Sequence, residues 1–305
     1  MKENPLISIV IPTHNRKNKL TRLIRSILES DYPNEKMKII VVDDCSDDGT
    51  FTEIQKTFPH VEVLRNEEER FVSASRNVGI KASTGDFVLF VDDDNVVEAS
   101  MITKLTKYMR RQADLGVCAP LMLYYGTDKI WCAGIKRNMV TSKTTYLLNG
   151  ETLGSVKLPE VMFSDDFPNC FMVRSDIMKE YGVLFDDKLF PIHFEESDFC
   201  YRIKKLGYNV VCLTEAVVWH DVKRNETGGF ETEWRTRLTA RNRMLFHRKY
   251  SKRWQFLIFV LLFNWIFTFY YLNKILFYSK KPINKKLSTL DSYLTGSLEG
   301  LSSAY

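Results

Sequence analysis

Residues 86–95 read Asp-Phe-Val-Leu-Phe-Val-Asp-Asp-Asp-Asn, an apolar run that leads directly into three acidic side chains. β-Branched and aromatic residues fill the apolar part, which predicts a buried strand. Adjacent carboxylates repel one another, so Asp92, Asp93 and Asp94 need a cation or hydrogen-bond donors to stay ionised. Hard oxygen ligands suit Mg²⁺ or Mn²⁺, which also bind phosphate oxygens. We therefore interpret this acidic end as a metal-binding site, with a solvated acidic turn as the simpler alternative.

Short apolar runs alternate with helical stretches from residue 7 to about residue 120. The predicted strands are Ile7–Ile11, Lys38–Val42, Val61–Leu64, Phe87–Val91 and Gly116–Ala119. The predicted helices are Lys17–Ser30, Thr50–Thr57, Ser73–Ala82 and Glu98–Arg110. This alternation predicts an α/β fold with a mainly parallel sheet and helices on both faces. Polar groups follow three of the strands, at 13–16, 43–44 and 92–94, and ligands bind at such strand ends.

The second half of the chain is less regular. Residues 130–140 predict a strand and a bend, Ser197–Leu206 an amphipathic helix, and 209–213 and 216–219 two short strands. Near the C-terminus, Leu287–Ala304 predicts a helix with one apolar stripe. That stripe consists of Leu287, Leu290, Leu294, Leu298 and Leu301.

Residues 254–278 are almost continuously apolar and aromatic, with basic residues on both sides. Crossing a hydrocarbon core takes about 20 residues, so the segment is long enough to span a membrane. Positive charge on both flanks leaves its orientation open, and a span, a re-entrant helix and an interfacial helix all remain. We expect contact with membrane lipid; a buried core helix is the alternative. The predicted domains are thus a catalytic domain at 1–248 and a hydrophobic helical segment at 249–305.

Composition excludes several classes of protein. The net charge of the 305 residues is only +5, without the basic stripe that binding of nucleic acid requires. The six cysteines are scattered without a CxxC pair, which disfavours zinc and fits a reducing compartment. The apolar run at 6–11 is too short for a secretory signal. We therefore expect the catalytic domain at the cytoplasmic face of the cell membrane.

Polar side chains outside the acidic cluster also stand at chemically useful places. Asp44 follows a predicted strand and could accept hydrogen bonds from a nucleobase or a ribose. Arg76 could pair with a phosphate or with an acidic side chain, or form a structural salt bridge. Glu195 and Glu196 precede a predicted helix, where they either complement its dipole or provide a general base. His220 ends a short strand and is either a structural residue or a metal ligand.

Several motifs, taken in order, resemble those of family-two glycosyltransferases with the GT-A fold. They are Ser8–Arg16, Val-Asp-Asp-x-Ser-x-Asp-Gly-Thr at 42–50, Arg76-Asn77-x-Gly79, Phe90–Asp94, Phe194–Arg202, Gly207-Tyr208 and Trp219–Asp221. Their order and spacing extend over about residues 6–250. Within this family, the chain is similar to the rhamnosyl- and galactofuranosyltransferases.

The resemblance implies a role for each candidate residue. The residues that would bind the nucleotide-sugar are Pro12, Thr13, Asn15, Asp44, Arg76, Asp92 and Asp93, with Asp44 at the base. The residues that would bind Mn²⁺ or Mg²⁺ are Asp94, Asp92 and His220. Glu196 would be the general base, and the resemblance leaves open whether Glu195 or Glu196 faces the acceptor.

The activity implied by the resemblance is inverting, metal-dependent transfer of a sugar from a nucleotide-sugar to a hydroxyl of a lipid-linked or cell-surface glycan. One alternative is a sugar-nucleotide pyrophosphorylase, but that class needs a Gly-rich first loop and residues 13–16 contain no Gly. The other alternative is a membrane-tethered subunit that binds sugar nucleotides without catalysis. Dehydrogenases and P-loop enzymes are disfavoured because GxGxxG and GxxxxGK[ST] are absent from the sequence.

Overall fold

Strands and helices alternate in the N-terminal part, as the sequence predicts. The computed structural model describes residues 4–222, 232–278 and 282–302. Its elements up to residue 124 are β1 (Ile7–Thr13), α1 (Lys17–Leu28), a 3₁₀ turn (Asn34–Lys36), β2 (Met37–Asp43), α2 (Thr50–Thr57), β3 (Glu62–Arg65), α3 (Phe71–Ala82), β4 (Phe87–Val91), β5 (Asn95–Val97), α4 (Met101–Arg111) and β6 (Leu115–Tyr124).

Shorter strands dominate the middle of the chain and helices its end. The strands and helices up to residue 220 are β7 (Ile130–Cys132), β8 (Ile135–Arg137), β9 (Thr144–Tyr146), β10 (Val161–Phe163), β11 (Cys170–Arg174), α5 (Ser175–Tyr181), α6 (Glu195–Lys205) and β12 (Asn209–His220). They are followed by α7 (Glu233–Tyr250), α8 (Arg253–Ile258), a π turn (Phe259–Phe263), α9 (Asn264–Asn273), a second π turn (Lys274–Tyr278) and α10 (Ile283–Ser302).

The large sheet is mixed. Its strand order is β10-β12-β6-β11-β4-β1-β2-β3, with β5 paired to β12 and β7 to β6. Strands β3, β2, β1 and β4 are parallel, and β11 lies antiparallel between β4 and β6. Strands β8 and β9 form a separate two-stranded sheet. The predicted α/β architecture is therefore confirmed, with antiparallel strands added beyond β4.

The strand order reverses between β1 and β4, and we call the space beyond their last paired residues the crevice. β1 pairs with β2 as far as Thr13 and Asp43, whereas its pairing with β4 stops at Val10 and Phe90. Ligands in open α/β sheets bind outside the carboxyl ends of the strands at such a switch point. Pro12 lies in the diverging part of β1. The topology thus brings the polar ends of β1, β2 and β4 to one edge of the sheet.

The centre of the sheet is buried on both faces. All five residues of β4 are buried, and the ring of Phe90 contacts the rings of Phe171, Phe185 and Phe199 at centroid distances of 5.3, 5.2 and 5.8 Å. Aromatic pairs of this kind contribute about 0.5–1.5 kcal/mol each beyond the area that they bury. The acidic residues that follow Val91 therefore stand on a rigid support.

The bounds of several elements differ from the predictions. α6 begins at Glu195 rather than at Ser197, and the two predicted strands at 209–219 are one strand whose register against β6 shifts between Leu213 and Val217. The predicted helix Leu287–Ala304 corresponds to α10, and its last two residues lie outside the described part of the chain. Sequence patterns locate an element better than its ends, because capping and register depend on tertiary contacts.

The chain divides into two units. The first contains the large sheet and comprises residues 4–136, 146–191 and 195–222. The second contains α7 to α10 and comprises residues 137–145, 192–194 and 232–302. Within the second unit, the segment Arg253–Phe277 is long and apolar enough to cross a membrane. The predicted domain boundary at residue 248 stays a prediction.

We predict that Gly79→Ala destabilises the first unit through a clash with β1. A Cβ atom at Gly79 would lie 2.3 Å from Cγ1 of Val10. Overpacking of this kind costs about 1–3 kcal/mol, which outweighs the gain of about 1 kcal/mol from placing Ala in a helix. Urea denaturation should show the loss. In the double variant with Val10→Ala the two losses should be less than additive; strict additivity would contradict the close contact.

Candidate active site

Asp93 and Asp94 are held by side chains from β1 and the loop that follows it. The Thr13 hydroxyl donates to Asp93 Oδ2 at 2.7 Å. One guanidinium nitrogen of Arg16, Nη1, donates to Asp93 Oδ1 at 3.0 Å and to Asp94 Oδ2 at 2.9 Å. The Asp93 side chain is 5% exposed, whereas that of Arg16 is 46% exposed. The first and fourth strands therefore meet through charge-assisted hydrogen bonds at the mouth of the crevice.

Environment separates the pKa values of these two acids. Burial raises the pKa of the Asp93 carboxyl to about 7, against the opposing charge of Arg16. Burial also acts on Asp94, but the hydrogen bond and charge of His220, together with Arg16, hold the pKa of Asp94 below its ordinary value. Asp94 is therefore the carboxylate of the pair that carries a negative charge near neutral pH.

Arg76 joins the third acid of the cluster to the two glutamates. Its fully buried guanidinium donates from Nη2 to Asp92 Oδ1 at 2.7 Å and to Glu196 Oε1 at 2.9 Å. Nη1 lies 3.4 Å from Glu195 Oε1, and the guanidinium carbon lies 5.3 Å from the ring centroid of Phe185. Burial works against the charge, but the three carboxylates raise the pKa of Arg76 above its ordinary value. Arg76 is thus a permanent positive charge inside the site.

Glu195 and Glu196, which the sequence could not tell apart, differ in their surroundings. Glu195 is buried, and its Oε2 has no hydrogen-bond partner among the described residues. Burial, followed by the charge of Glu196, raises the pKa of Glu195 well above its ordinary value. The Glu196 side chain is 17% exposed, and its Oε1 accepts from the backbone N–H of Asn169 at 3.1 Å as well as from Arg76. Of the two glutamates, Glu196 is therefore the one whose carboxylate is both hydrogen-bonded and accessible.

His220 and Asp94 are placed together by backbone and side-chain contacts. Nε2 of His220 lies 3.4 Å from Asp94 Oδ1, and the N–H of Asp221 donates to the carbonyl of Asp94 at 2.8 Å. The ring of Trp131 packs edge-on against His220 with a centroid distance of 4.3 Å. Arg22 of α1 donates to the Asp221 carboxylate at 2.6 Å, which fixes the end of β12.

Asn169 contacts both His220 and Glu196. Its amide nitrogen Nδ2 lies 3.3 Å from Nδ1 of His220, and its Oδ1 is buried without a hydrogen-bond partner among the described residues. In the opposite amide orientation Oδ1 would accept from Nδ1–H, which leaves the lone pair of Nε2 for a metal ion. Asn169 also has a φ of 48°, a left-handed conformation that asparagine tolerates better than most residues.

The donor set fits a divalent ion with few protein ligands. Within residues 4–222, 232–278 and 282–302, no three His, Cys, Asp or Glu side chains form a ready metal cluster. Asp94 Oδ1 and His220 Nε2 nevertheless lie 3.4 Å apart, and imidazole with carboxylate suits Mn²⁺. Mg²⁺ and similar ions at phosphate sites usually take only one or two carboxylates besides phosphate oxygens and water. Asp92, the third predicted ligand, turns its Oδ1 to Arg76 instead.

Asp44 is occupied by protein donors. Its Oδ1 accepts from Asn66 Nδ2 at 2.6 Å and from the N–H of Arg70 at 3.0 Å, and its Oδ2 accepts from the N–H of Phe71 at 2.8 Å. Asp44 therefore caps the N-terminus of α3, a role that its position in the sequence did not reveal. A carboxylate has about four acceptor positions, so one remains for a ligand.

Asn15 stabilises the loop between β2 and α2. Its Oδ1 accepts from the N–H of Asp47 at 2.9 Å, and its N–H donates to the hydroxyl of Ser46. Asn15 and Cys45 both have positive φ, 54° and 62°. Strained backbone of this kind clusters at ligand-binding sites. The loops after β1 and β2 are thus fixed together beside the crevice.

Sequence reasoning missed Asn169 and Trp131 and gave Arg16 no role of its own. Arg16 stands inside a quoted motif directly after the polar end of β1, so the sequence held a signal for it. Asn169 directly precedes β11, which pairs with β4, and Trp131 lies in β7, which pairs with β6. These pairings cannot be derived from the sequence pattern. Pro12, Thr13 and Asn15 lie along the end of β1 and the loop after it, as expected.

Comparisons with known proteins give the family and the fold. A family model described as Glycosyl transferase family 2 matches residues 8–182, more than half of the chain. An uncharacterized glycosyltransferase of Haemophilus influenzae is 34% identical over 110 residues, 36% of this chain and 36% of that protein. The match thus spans little more than a third of that relative. The putative teichuronic acid biosynthesis glycosyltransferase TuaG of Bacillus subtilis is 24% identical over 197 residues, 59% of this chain and 76% of that protein.

A solved structure extends the similarity of fold to the whole chain. The crystal structure of GalNAc-T7 with UDP, GalNAc and Mn²⁺ superimposes with a TM-score of 0.67 at 17% identity, covering 98% of this chain and 57% of that one. The predicted fold and family are confirmed. The chain belongs to glycosyl transferase family 2 and has the GT-A fold.

Proposed function

We propose that the protein is an inverting, metal-dependent glycosyltransferase that moves a sugar from a nucleotide-sugar to a hydroxyl of a lipid-linked or cell-surface glycan. The observation that carries the proposal is the buried Arg76 guanidinium, which donates to both Asp92 and Glu196. One charge thereby links an acid beside the donor crevice to the only accessible glutamate of the pair. This arrangement suits a reaction in which a donor and an acceptor meet between them.

The donor would lie in the crevice between β1 and β4. Thr13 and Asp93 join its two walls, and Asn15 fixes the loop above β2. The unoccupied acceptor position of Asp44 can take an N–H of the base, while the donors that already hold its carboxylate keep it oriented. The nucleotide would therefore be recognised by groups that are rigid before it binds, which lowers the entropy cost of binding.

Asp94 and His220 would hold Mn²⁺ or Mg²⁺, and the diphosphate of the donor would complete its ligands. When bound, the ion supplies positive charge to the leaving diphosphate. Arg16 already contacts Asp93 and Asp94, and its exposed guanidinium can pair with a phosphate oxygen. Asp94, His220 and Arg16 would thus together orient the leaving diphosphate.

Glu196 would take the proton from the acceptor hydroxyl. Arg76 and the backbone of Asn169 hold Oε1, so Oε2 is the oxygen that can accept the proton. The hydroxyl oxygen then attacks the anomeric carbon while the bond to the diphosphate breaks. Attack from the face opposite the leaving group inverts the anomeric configuration in one displacement. Glu195, buried and with a raised pKa, is unsuited to the same role.

Two observations support the proposed class of acceptor and the proposed location at the membrane. TuaG is named for teichuronic acid biosynthesis, and the present chain is similar to it over 59% of its length. The segment at 254–278 can contact membrane lipid, so a lipid-linked acceptor would be available at the cytoplasmic face. Membership of the family supports transfer over the pyrophosphorylase and over a subunit without catalysis.

We predict that Glu196→Gln and Asp94→Ala both abolish transfer but differ in donor binding. Loss of a general base lowers the rate by about 10²–10⁴-fold and leaves the donor site intact. Asp94→Ala removes a metal ligand and should weaken donor binding by about tenfold or more, or about 1.4 kcal/mol. Calorimetric titration of the donor with Mn²⁺, beside a turnover assay, separates the two.

Glu195→Gln is the matched control for Glu196→Gln. Because Glu195 is buried and its raised pKa favours the neutral acid, the amide should preserve most of the turnover. Wild-type turnover in Glu196→Gln, or an equal loss in both variants, would show that Glu196 is not the base. NMR of the product should show inversion of the anomeric centre.

We predict that Arg76→Gln lowers the free energy of unfolding by about 3–5 kcal/mol, because it leaves buried acids without their counter-charge. Arg76→Lys should recover part of this stability but not turnover, since an ammonium cannot reproduce the planar geometry of the guanidinium. Urea denaturation and turnover are measured on both variants. Equal activity of Arg76→Lys and the natural protein would contradict the proposed positioning.

We predict that Mn²⁺ increases the thermal stabilisation by one class of nucleotide-sugar. A thermal-shift panel of UDP-, GDP- and dTDP-sugars, with and without Mn²⁺, identifies the donor because a ligand stabilises the state that it binds. His220→Ala should remove the dependence on Mn²⁺. A flat response to every donor would count against the proposed function.

A further inference from the structure

The segment from α8 to α9 exposes pairs of large apolar residues every four positions. The side chains are between 37 and 69% exposed, and they are Leu257, Ile258, Leu261, Leu262, Trp265, Ile266, Phe269 and Tyr270. No acidic or basic residue occurs between Trp254 and Asn273. Exposed apolar surface of this continuity marks an interaction site rather than ordinary protein surface.

The opposite side of the same segment is buried. Phe259, Asn264, Thr268 and Ile275 are at most 8% exposed, and the step of five residues at the first π turn keeps them on one side. The ring of Phe259 stacks on His247 of α7 at 4.3 Å. The segment therefore has one face against protein and one without protein cover.

Polar side chains of α7 and α10 contact the segment near its other end, at Tyr271 of α9. Arg243 of α7 donates to the hydroxyl of Tyr271 at 2.8 Å and lies over its ring. The ring of Tyr271 also contacts Tyr293 of α10 at 5.2 Å. The charged helix α7 thus lies beside the apolar segment rather than beyond its end.

In α10 the glycines are buried and several leucines are exposed, which is the reverse of the burial expected for a helix of a soluble domain. Its glycines pack on α7, where a Cβ at Gly296 would lie 2.1 Å from the carbonyl oxygen of Arg237 and one at Gly300 would lie 2.5 Å from Cβ of Met244. The apolar side chains point away, and the exposed ones are Ile283, Leu287, Leu294 and Leu298, at 40–67%. Contact through small residues with leucines outside is typical of helices that face lipid.

We propose that α8, α9 and α10 form a monotopic lipid-binding surface that embeds in one leaflet of an anionic bilayer, with the segment 253–277 lying in the plane of the membrane rather than crossing it. A crossing segment would carry α7 with it into hydrocarbon, and α7 contains Arg235, Arg237, Arg241, Arg243, Arg248 and Lys249. Charges at the centre of a bilayer are strongly unfavourable. An interfacial position leaves α7 on the aqueous side.

Charge and shape fit the headgroups of such a leaflet. Lys252 and Arg253 are exposed at one end of the segment, and Lys285 is exposed at the start of α10. Basic residues beside an apolar face attract anionic lipids. A groove of about 410 Å³ lies between α8 and the end of α10, lined by apolar side chains and Arg253. Trp254, Leu257 and Leu301 in its wall can contact one acyl chain.

The proposed lipid-binding surface specifies how the protein of the proposed function would contact the membrane, and its test does not depend on sugar transfer. Vesicle binding is measured without donor, acceptor or metal. A protein that binds vesicles but transfers no sugar would contradict the enzymatic proposal alone. One that transfers sugar to a soluble acceptor but ignores vesicles would contradict the surface alone.

Vesicle flotation tests the surface with the full chain. The probe is a vesicle of phosphatidylethanolamine with phosphatidylglycerol, compared with one of phosphatidylcholine only. Trp265→Glu and Leu298→Glu should each lower the partition coefficient by about tenfold or more, because each replaces an apolar side chain that would lie in the lipid with a charged one. Phe163→Glu is the matched control, since Phe163 is 59% exposed on β10. Partition equal to the natural protein in both test variants would overturn the proposal.

Labelling of single cysteines tests the orientation. With Cys45→Ser as background, a cysteine is introduced at Lys252 or at Lys285, and sealed membrane vesicles are treated with an impermeant maleimide. Both positions should react from the same side. Reaction from opposite sides would establish a span and overturn the in-plane arrangement. A change in oligomeric state by Trp265→Glu without any change in vesicle binding would show that the surface binds a second copy, which also overturns the proposal.

Discussion

The buried, permanently charged side chain of Arg76 organises the candidate active site of this protein. The Arg76 guanidinium is fully buried, and an isolated buried charge would cost several kcal/mol. The carboxylates of Asp92, directly after β4, and of Glu196, in α6, offset that cost, and the carboxyl of Glu195 lies 3.4 Å away. Because those acids belong to elements far apart in sequence, folding around Arg76 also aligns the end of β4 with the helix that carries Glu196.

The sequence predicted the parts of the structure that depend on local pattern. The strand Phe87–Val91 was predicted correctly because its apolar residues form one uninterrupted run that ends at the acids. The meeting of polar strand ends followed from the rule for parallel strands. Arg76 was a candidate, but three readings of it stayed open because its partners are up to 120 residues away.

Other features depended on tertiary contacts that no local pattern reveals. Asp44 was interpreted only as an acceptor for a nucleobase or a ribose, yet it caps α3, which begins 27 residues later. Asn169 carries no motif, and it gains its position only because β11 inserts antiparallel beside β4. In α10 the leucine stripe was predicted correctly, while its exposure was not predictable, since the choice between stripe and glycines depends on α7.

The helix α3 connects two parts of the candidate active site, Asp44 at its start and Arg76 further along it. Asp44 accepts from the N–H of Phe71 in the first turn, and Arg76 follows five residues later, roughly 7.5 Å further along the axis at 1.5 Å per residue. Under the proposed function, this rigid helix would set the distance between the position of the nucleobase and the position of the acceptor hydroxyl. Every nucleoside diphosphate sugar has the same diphosphate linkage across that distance. The helix would therefore not discriminate between sugars, and that discrimination would fall to the irregular segment between β6 and α6.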